Sequence, residues 1–426
     1  MKEPTPGRVL RWVRRLLAVL ISLCALTGML RLVLPATAAT GEPPGVYRQL
    51  AFIRAALEDG AAEEAQRLFP EGYFFSHVLY GLAWIELGER EPGHRREAPA
   101  SARWALDRLE SPAGREPFDP ALTPAHGVFY RGWINWLRGG LLKLQPPQER
   151  DPDQVRRFAA DSAEIAQAFR ASATPYLEAY PGQAWPVDST VAIASLRLHD
   201  SLLTPRFGDT VARWLGQVRR GLDPATGLIP HRVDAATGEA LEGARGSSQA
   251  LINRFLIDVD PAFAREQYLR FRDRFLAFPL GLGPAVREYP HGTDGPGDVD
   301  SGPLLLGVSL SATVVTLGAA QAHGDHTLAA ALANYGELAG LPVDTPSTKR
   351  YAFGLLPIGD AFLAWSKTAQ PWVAEAPSSP PEAVSSWWRV PLLVLLAVVG
   401  AAPWVPAMLR LRSRGRAAVR TVPDTA

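Results

Sequence analysis

Between Val286 and Pro303 the chain gathers Glu288, Tyr289, His291, Asp294, Asp298 and Asp300 into one loop punctuated by Gly and Pro. In an extended segment Asp298 and Asp300, one residue apart, share a face. Paired carboxylates divide their pKa values, one staying protonated as an acid and one ionised as a base. The pair is therefore equipped for general acid/base chemistry. Clustered carboxylate oxygens also suit calcium, but the spacing does not follow the EF-hand pattern, and no metal is assigned. The loop runs into the apolar, small-residue stretch Leu304 to Ala320, which places it at a pocket wall. Asp300-Ser301 is also positioned to cap a helix from 303.

Three further stretches carry comparable groups. In Tyr180 to Ser189, Asp188 stands where it could cap the following apolar helix, an interaction that contributes about 1 kcal/mol. Trp185 beside it offers an aromatic platform. In Leu222 to Gln249, Asp223 and Asp234 each open an Asp-x-Ala-Thr-Gly turn signature and read as structural. His231, Glu242 and Arg245 are the better candidates there, with Arg245 to Gln249 bringing a guanidinium and hydroxyls to a helix N-terminus. Lys349-Arg-Tyr351 is basic and aromatic, and reads either as a solvated run or as a substrate contact through Tyr351. His77, His126, Tyr130 and Trp133 read as satisfied structural residues. Asp188, Asp298, Asp300, His231 and Glu242 are thus the candidate catalytic groups. Trp185, Arg245, Glu288, Tyr289, His291 and Tyr351 are the candidate substrate contacts.

Composition narrows the classes. The 426 residues carry 44 Lys+Arg against 43 Asp+Glu, so there is no basic footprint for nucleic acid. The one cysteine, Cys24, lies in an apolar terminal run. A disulfide, a Cys metal site and a Cys nucleophile are thereby excluded from the remainder of the chain. No Gly-rich phosphate loop, HExxH or nucleophile elbow occurs, and no cofactor is expected.

The positioning elements are helices. Apolar periodicity predicts about twelve, at 46–69, 73–87, 100–109, 127–143, 155–178, 187–202, 206–220, 247–257, 261–277, 303–322, 325–339 and 353–369, with no strand of period two. Amphipathic segments alternate with segments apolar nearly all round, such as Thr190 to Leu196. A helix apolar on every side is buried on every side. Six inner–outer pairs close into an (α/α)6 toroid, and the long connections entering the inner helices then meet at one mouth.

Both ends read as membrane segments. Leu16 to Leu34 follows Arg8, Arg11, Arg14 and Arg15. It is either a signal sequence processed near Ala36 to Ala39 or an uncleaved anchor. Val390 to Leu409 spans the roughly 20 residues a bilayer requires, with Arg410, Arg412, Arg414 and Arg416 beyond it. The positive-inside rule puts both Arg clusters in the cytoplasm and the intervening domain outside, periplasmic or at the cell surface. The expected organisation is an N-terminal segment at 1–39, the toroid at 40–370, a Pro/Ser-rich tether at 371–386 and a C-terminal span with basic tail at 387–426.

Asp223 to His231, Tyr289-Pro-His-Gly and Gly297-Asp-Val-Asp-Ser-Gly302, set between helical hairpins, resemble the six-hairpin toroid superfamily. That superfamily includes inverting glycosidases, sugar epimerases and polysaccharide lyases. From Trp185 to Gly302 the chain is similar to the linalool dehydratase/isomerase-like domain, and the likeness covers roughly residues 70 to 370. The cysteines associated with the linalool enzyme's site have no counterpart in this stretch. The resemblance implies hydrolysis of a glycan, or a lyase or isomerase reaction on an isoprenoid alcohol. A non-catalytic glycan-binding or assembly module is the third reading, and its carboxylates would not converge.

Overall fold

A computed structural model describes residues 6–377, 379–406 and 409. The chain is all-α with a few short strands. In order the helices are α1 (Pro6–Val33), α2 (Val46–Glu58), α3 (Ala61–Leu68), α4 (Gly72–Arg90), α5 (Ala98–Leu109), α6 (Pro112–Arg115), α7 (Gly127–Lys143), α8 (Pro152–Ala171), α9 (Pro186–Leu202), α10 (Gly208–Val218), α11 (Gly246–Leu256), α12 (Pro261–Phe275), α13 (Leu310–Ala322), α14 (His326–Ala339), α15 (Pro357–Thr368) and α16 (Arg389–Ala401). The strands are β1 (Arg232–Val233), β2 (Ala240–Glu242), β3 (Leu276–Ala277), β4 (Ala285–Arg287), β5 (Val308–Ser309), β6 (Val343–Asp344) and β7 (Lys349–Arg350). They form antiparallel ladders β1-β2, β3-β4-β5 and β6-β7. At this length they have no room to show alternation, so the sequence pattern gave no strand.

The chain divides into two compact units. One comprises 1–34, 280–283 and 385–426. In it α1 packs against α16: Ser22 Oγ donates to the Gly400 carbonyl at 2.8 Å and accepts from Trp404 Nε1 at 2.8 Å. Small residues at such a contact let two apolar helices approach closely. Leu10–Val33 and Ser386–Trp404 are long and apolar enough to cross a membrane. Arg410, Arg412, Arg414 and Arg416 lie outside the described residues.

The other unit, 35–279 with 284–384, holds the rest. Here α4, α7, α9, α11, α13 and α15 contact one another in a closed cycle, each with the next and α15 with α4. Of α4, every residue from Gly72 to Gly88 except Phe75 is buried, as an all-round apolar helix requires. Amphipathic helices pack against this cycle: α5 on α4, α8 on α7 and α9, α12 on α11, α14 on α13, and α2 on α15. α10 shows the pattern, burying Thr210, Val211, Trp214 and Val218 on one stripe.

Four expected helices start or stop elsewhere, for local reasons. The segment expected at 46–69 breaks at Gly60, where φ is 91°. The one expected at 155–178 stops at Ala171, because the Ser172 and Thr174 hydroxyls take over backbone hydrogen bonds ahead of Pro175. The helix expected from 303 starts at Leu310. Leu306 and Gly307 have φ of 54° and 76°, and the cap is Ser309, accepting from the Ala312 amide at 3.1 Å, rather than Asp300-Ser301. The helix expected from 353 starts at Pro357, since Phe353 has φ 59°.

The run expected to be a tether is fastened along much of its length. Trp372 is buried and stacks on Trp136, centroids 4.5 Å apart. Gly140 makes room for it: a Cβ there would lie 2.4 Å from the Trp372 ring. The Asp258 carboxylate accepts from the Trp372, Val373 and Ala374 amides at 2.8–3.1 Å. Deeper in the same unit, Arg254 and Glu86 form an ion pair with neither side chain exposed, and Thr368 Oγ1 donates to Glu86 at 2.8 Å.

Candidate functional site

The site is assembled from the connections that lead into the helices of the cycle. Arg245 is its hinge. It stands at the N-cap of α11, 6% exposed. Its Nε donates to Glu288 Oε1 at 2.8 Å, its Nη1 lies 2.5 Å from Asp298 Oδ2 and 3.5 Å from Glu242 Oε2, and its guanidinium sits over the Tyr289 ring at 5.3 Å. Glu288 is fully buried and also accepts from the Ser247 amide at 3.1 Å and hydroxyl at 2.7 Å. It is therefore a clamp on the start of α11 rather than a substrate contact. Gly246 is required here, because a Cβ would lie 2.0 Å from the Arg287 carbonyl oxygen.

Asp298 and Asp300 do not lie in an extended segment, the conformation in which their spacing would put them on one face. Residues 298–301 form a turn in which the Ser301 amide donates to Asp298 Oδ1 at 2.9 Å and the Asp298 amide to Ser301 Oγ at 2.9 Å. Proximity nevertheless follows from the turn: His231, Asp298 and Asp300 each offer an atom within 4.8 Å of the others. That donor set fits a divalent cation in spacing, but Arg245 already neutralises Asp298, and a cation would sit beside that guanidinium.

The three carboxylates that matter most differ in environment. Burial would raise Asp298, but the Ser301 amide and Arg245 outweigh it and hold the group below its ordinary range. Asp188, 5% exposed, lies in the first turn of α9. Trp185, not Asp188, occupies the N-cap, and the Asp188 carboxylate makes no hydrogen bond among the described residues. Burial, then Asp300 and Glu71, push it well above the usual carboxylate range. Asp300 presents exposed surface, yet burial comes first among the causes raising it to about 7, followed by Asp298 and Glu71. Asp298 and Glu71 both raise it and each ranks ahead of the opposing Arg245, so the upward direction stands without the burial contribution.

His231 is buried, its Nδ1 2.5 Å from Ser248 Oγ. Desolvation and then Arg245 lower it to about 3, so it is neutral near pH 7. Glu242, half-exposed in β2, pairs with Arg232 at 3.0 Å as well as with Arg245. Trp185 is partly buried and meets the Tyr180 ring edge-on at 6.0 Å. Tyr289 donates to the Pro296 carbonyl at 2.9 Å, bracing the 289–296 loop.

Two candidates are not brought to this cluster. His291 is pinned to the end of α12, its amide on the Arg274 carbonyl and Nε2 on the Leu276 carbonyl, each at 2.9 Å. Tyr351 is buried in a separate network, 2.5 Å from Glu337 Oε1 and from Lys367 Nζ, with Lys349 Nζ 2.8 Å from Glu337. That basic run is thus neither a solvated face nor part of this cluster. Asp223 and Asp234 are turn formers, each accepting from amides two residues on.

Glu71 was not singled out by its sequence context, though it sits on a connection entering the cycle, before α4. It is the hydrogen-bond partner of the Tyr180 hydroxyl and raises Asp188 and Asp300 together. Its only sequence signal is that location between Phe69 and Tyr73, since a lone Glu in a Pro-Glu-Gly turn reads as surface. Neither protein-family models nor curated proteins yield a match to this chain.

Proposed function

We propose that residues 40–370 form an (α/α)6 toroid and that the chain is a membrane-anchored, extracytoplasmic acid/base enzyme, acting in the manner of a glycoside hydrolase on a glycan. The closed cycle of six helices with amphipathic partners supports the toroid. The pairing of α1 with α16 supports an N-terminal anchor retained beside the C-terminal span. One observation carries the chemistry: Glu71, on the connection before α4, raises both Asp188 in the first turn of α9 and Asp300 on the loop before α13, and Asp300 in turn raises Asp188. Carboxylates that converge in this way also weigh against a purely structural module.

The environments divide the roles. A catalytic base works best with a pKa near the operating pH. Asp300, raised to about 7, fits that role. Asp188, raised well above the usual carboxylate range and with no hydrogen bond to its carboxylate among the described residues, fits the acid. Asp300 accepts a proton from water as the water oxygen bonds to the anomeric carbon. The glycosidic bond breaks, and the Asp188 proton goes to the departing oxygen. Asp298 and Arg245 position this pair. Trp185 offers the sugar an apolar face.

A second reading, dehydration or isomerisation of an isoprenoid alcohol, is favoured by Phe75, Phe129, Trp133 and Phe362. These rings, from three helices of the cycle, lie with centroids 5.3–6.5 Å apart. The test is reducing-sugar release by the full chain in nanodiscs, across a panel of oligosaccharides and aryl glycosides, with terpenols in parallel. Asp188→Asn and Asp300→Asn should each reduce the rate at least about 100-fold. Unchanged rates would remove the acid/base assignment, and turnover of terpenols alone would select the second reading.

A further inference from the structure

The exposed large apolar side chains of the helical region are unevenly placed. Between residues 40 and 384, all but Tyr47 and Leu269 lie on the connections entering the cycle or on the residues abutting them. Leu280, Leu305, Leu306, Phe353, Leu355 and Leu356 are 47–82% exposed. The connections at the other ends of the helices, 91–97, 144–151, 203–207, 257–260 and 323–325, carry none among the described residues. Exposed apolar groups scattered singly need no explanation, but a collar of them concentrated on one class of connection does.

The backbone repeats the pattern. Every described non-glycine residue with positive φ lies on these same connections: His126, Leu280, Leu306, Leu341, Ala352 and Phe353. A bulky residue in this region is a true outlier, and such strain collects at functional surfaces. At Leu280, Leu306, Leu341 and Phe353 the strained residue presents its side chain outward, 52–79% exposed, so burial within the fold does not offset the strain.

We propose that this collar docks on a lipid bilayer, and that the site takes an amphiphile whose apolar tail stays in the lipid while its polar head enters the acidic mouth. The occupant is argued from the chain itself. It carries two helices apolar enough to cross a membrane, which would hold the chain at a bilayer. Apolar side chains at an interface bind by burying themselves among acyl chains. The substrate half of the proposal rests on the acid/base reading above; the docking half does not.

The test uses the full chain with Cys24→Ser, a single new cysteine at Leu306, Leu355 or Arg206, and a nitroxide label, in nanodiscs holding one copy each. Arg206 lies on an opposite-end connection and is exposed. Labels at 306 and 355 should collide with oxygen and be shielded from a water-soluble nickel chelate, whereas the label at 206 should show the reverse. Nickel access at 306 and 355 overturns the docking, as does shielding that appears only when two copies share a disc, which would assign the collar to self-association. For the substrate half, the triple variant Leu305→Ser, Leu306→Ser, Leu355→Ser should slow turnover of a lipid-tailed substrate at least 10-fold and leave its tail-free analogue unchanged. Equal loss on both overturns the amphiphile. Labels in lipid combined with fully active Asp188→Asn and Asp300→Asn would leave the docking standing and remove the reaction.

Discussion

The Arg245 guanidinium lies 2.5 Å from the Asp298 carboxylate while its other edge is held by the buried Glu288. The pair does more than fix a loop. Burial, Asp298 and Glu71 raise Asp300 and Arg245 lowers it, so both members of the pair act on the ionisation of the proposed base. Replacing Arg245 by Met removes the lowering charge. The rising limb of kcat/KM against pH, expected through about 7, should move to higher pH, and turnover at pH 7 should fall by about 10–100-fold. Arg245→Lys should restore part of the limb's position without the bridge between Glu288 and Asp298 that the guanidinium makes. A pH profile indistinguishable from the parent would show that Arg245 only supports the loop.

Asp188 predicts a gain of stability on mutation. Its folded pKa is raised, and its unfolded value is about 3.9. From about pH 4 upward the folded state therefore holds a proton that the unfolded chain has lost, and stability falls with rising pH until the folded pKa is passed. Asp188→Asn cannot ionise and removes that slope. The variant should melt at a higher temperature than the parent at pH 8 and differ least at pH 4, while losing activity. Such a trade is expected of a site held in a costly state for function. A uniformly lower melting temperature would mark Asp188 as structural.

Much of this was legible in the chain because all-round apolar segments and amphipathic ones differ in composition. Thr190 to Leu196 announces a buried helix by itself. The connections were harder. Asp298 and Asp300 reach His231 through a turn made by Ser301, and nothing in their one-residue spacing distinguishes that turn from a strand. Glu71 was invisible because its significance depends on Tyr180 and Asp188, more than a hundred residues away. Tyr351 looked like a mouth residue because a Lys-Arg-Tyr run suggests solvent. The partner that buries it, Glu337, lies on α14 with no local cue.

Glu86 and Arg254 form a buried pair whose halves cannot be removed singly without cost. Burial raises Glu86 to about 7 despite Arg254 and Thr368. Arg254→Met strands that carboxylate and should lower unfolding stability by about 3–5 kcal/mol. Adding Glu86→Leu should recover a large part of it, since a packed apolar pair of similar volume is often no less stable than the ions it replaces. Urea unfolding at pH 7 measures both. A double variant no better than the single would indicate a packing role for these side chains beyond their charge.

The C-terminal run past α15 closes onto the helical region through one aromatic side chain and one carboxylate. Trp372 stacks on Trp136, and Asp258 accepts three consecutive amides beside it. Deleting a buried indole costs about 3–5 kcal/mol, so Trp372→Ala should lower the melting temperature clearly. Asp258→Asn keeps the side-chain shape but weakens the acceptor of three N–H groups, so its effect should be smaller and in the same direction. Both variants should expose residues 374–384 to protease, because the remaining hydrogen bonds among the described residues are exposed ones, from Arg265 and Arg272 to the Ser379 and Glu382 carbonyls and from the Val384 amide to Thr327 Oγ1. Fragment masses after brief digestion locate the cut. A run that stays protected in Trp372→Ala, with an unchanged melting temperature, would mean that the arginine contacts hold it instead.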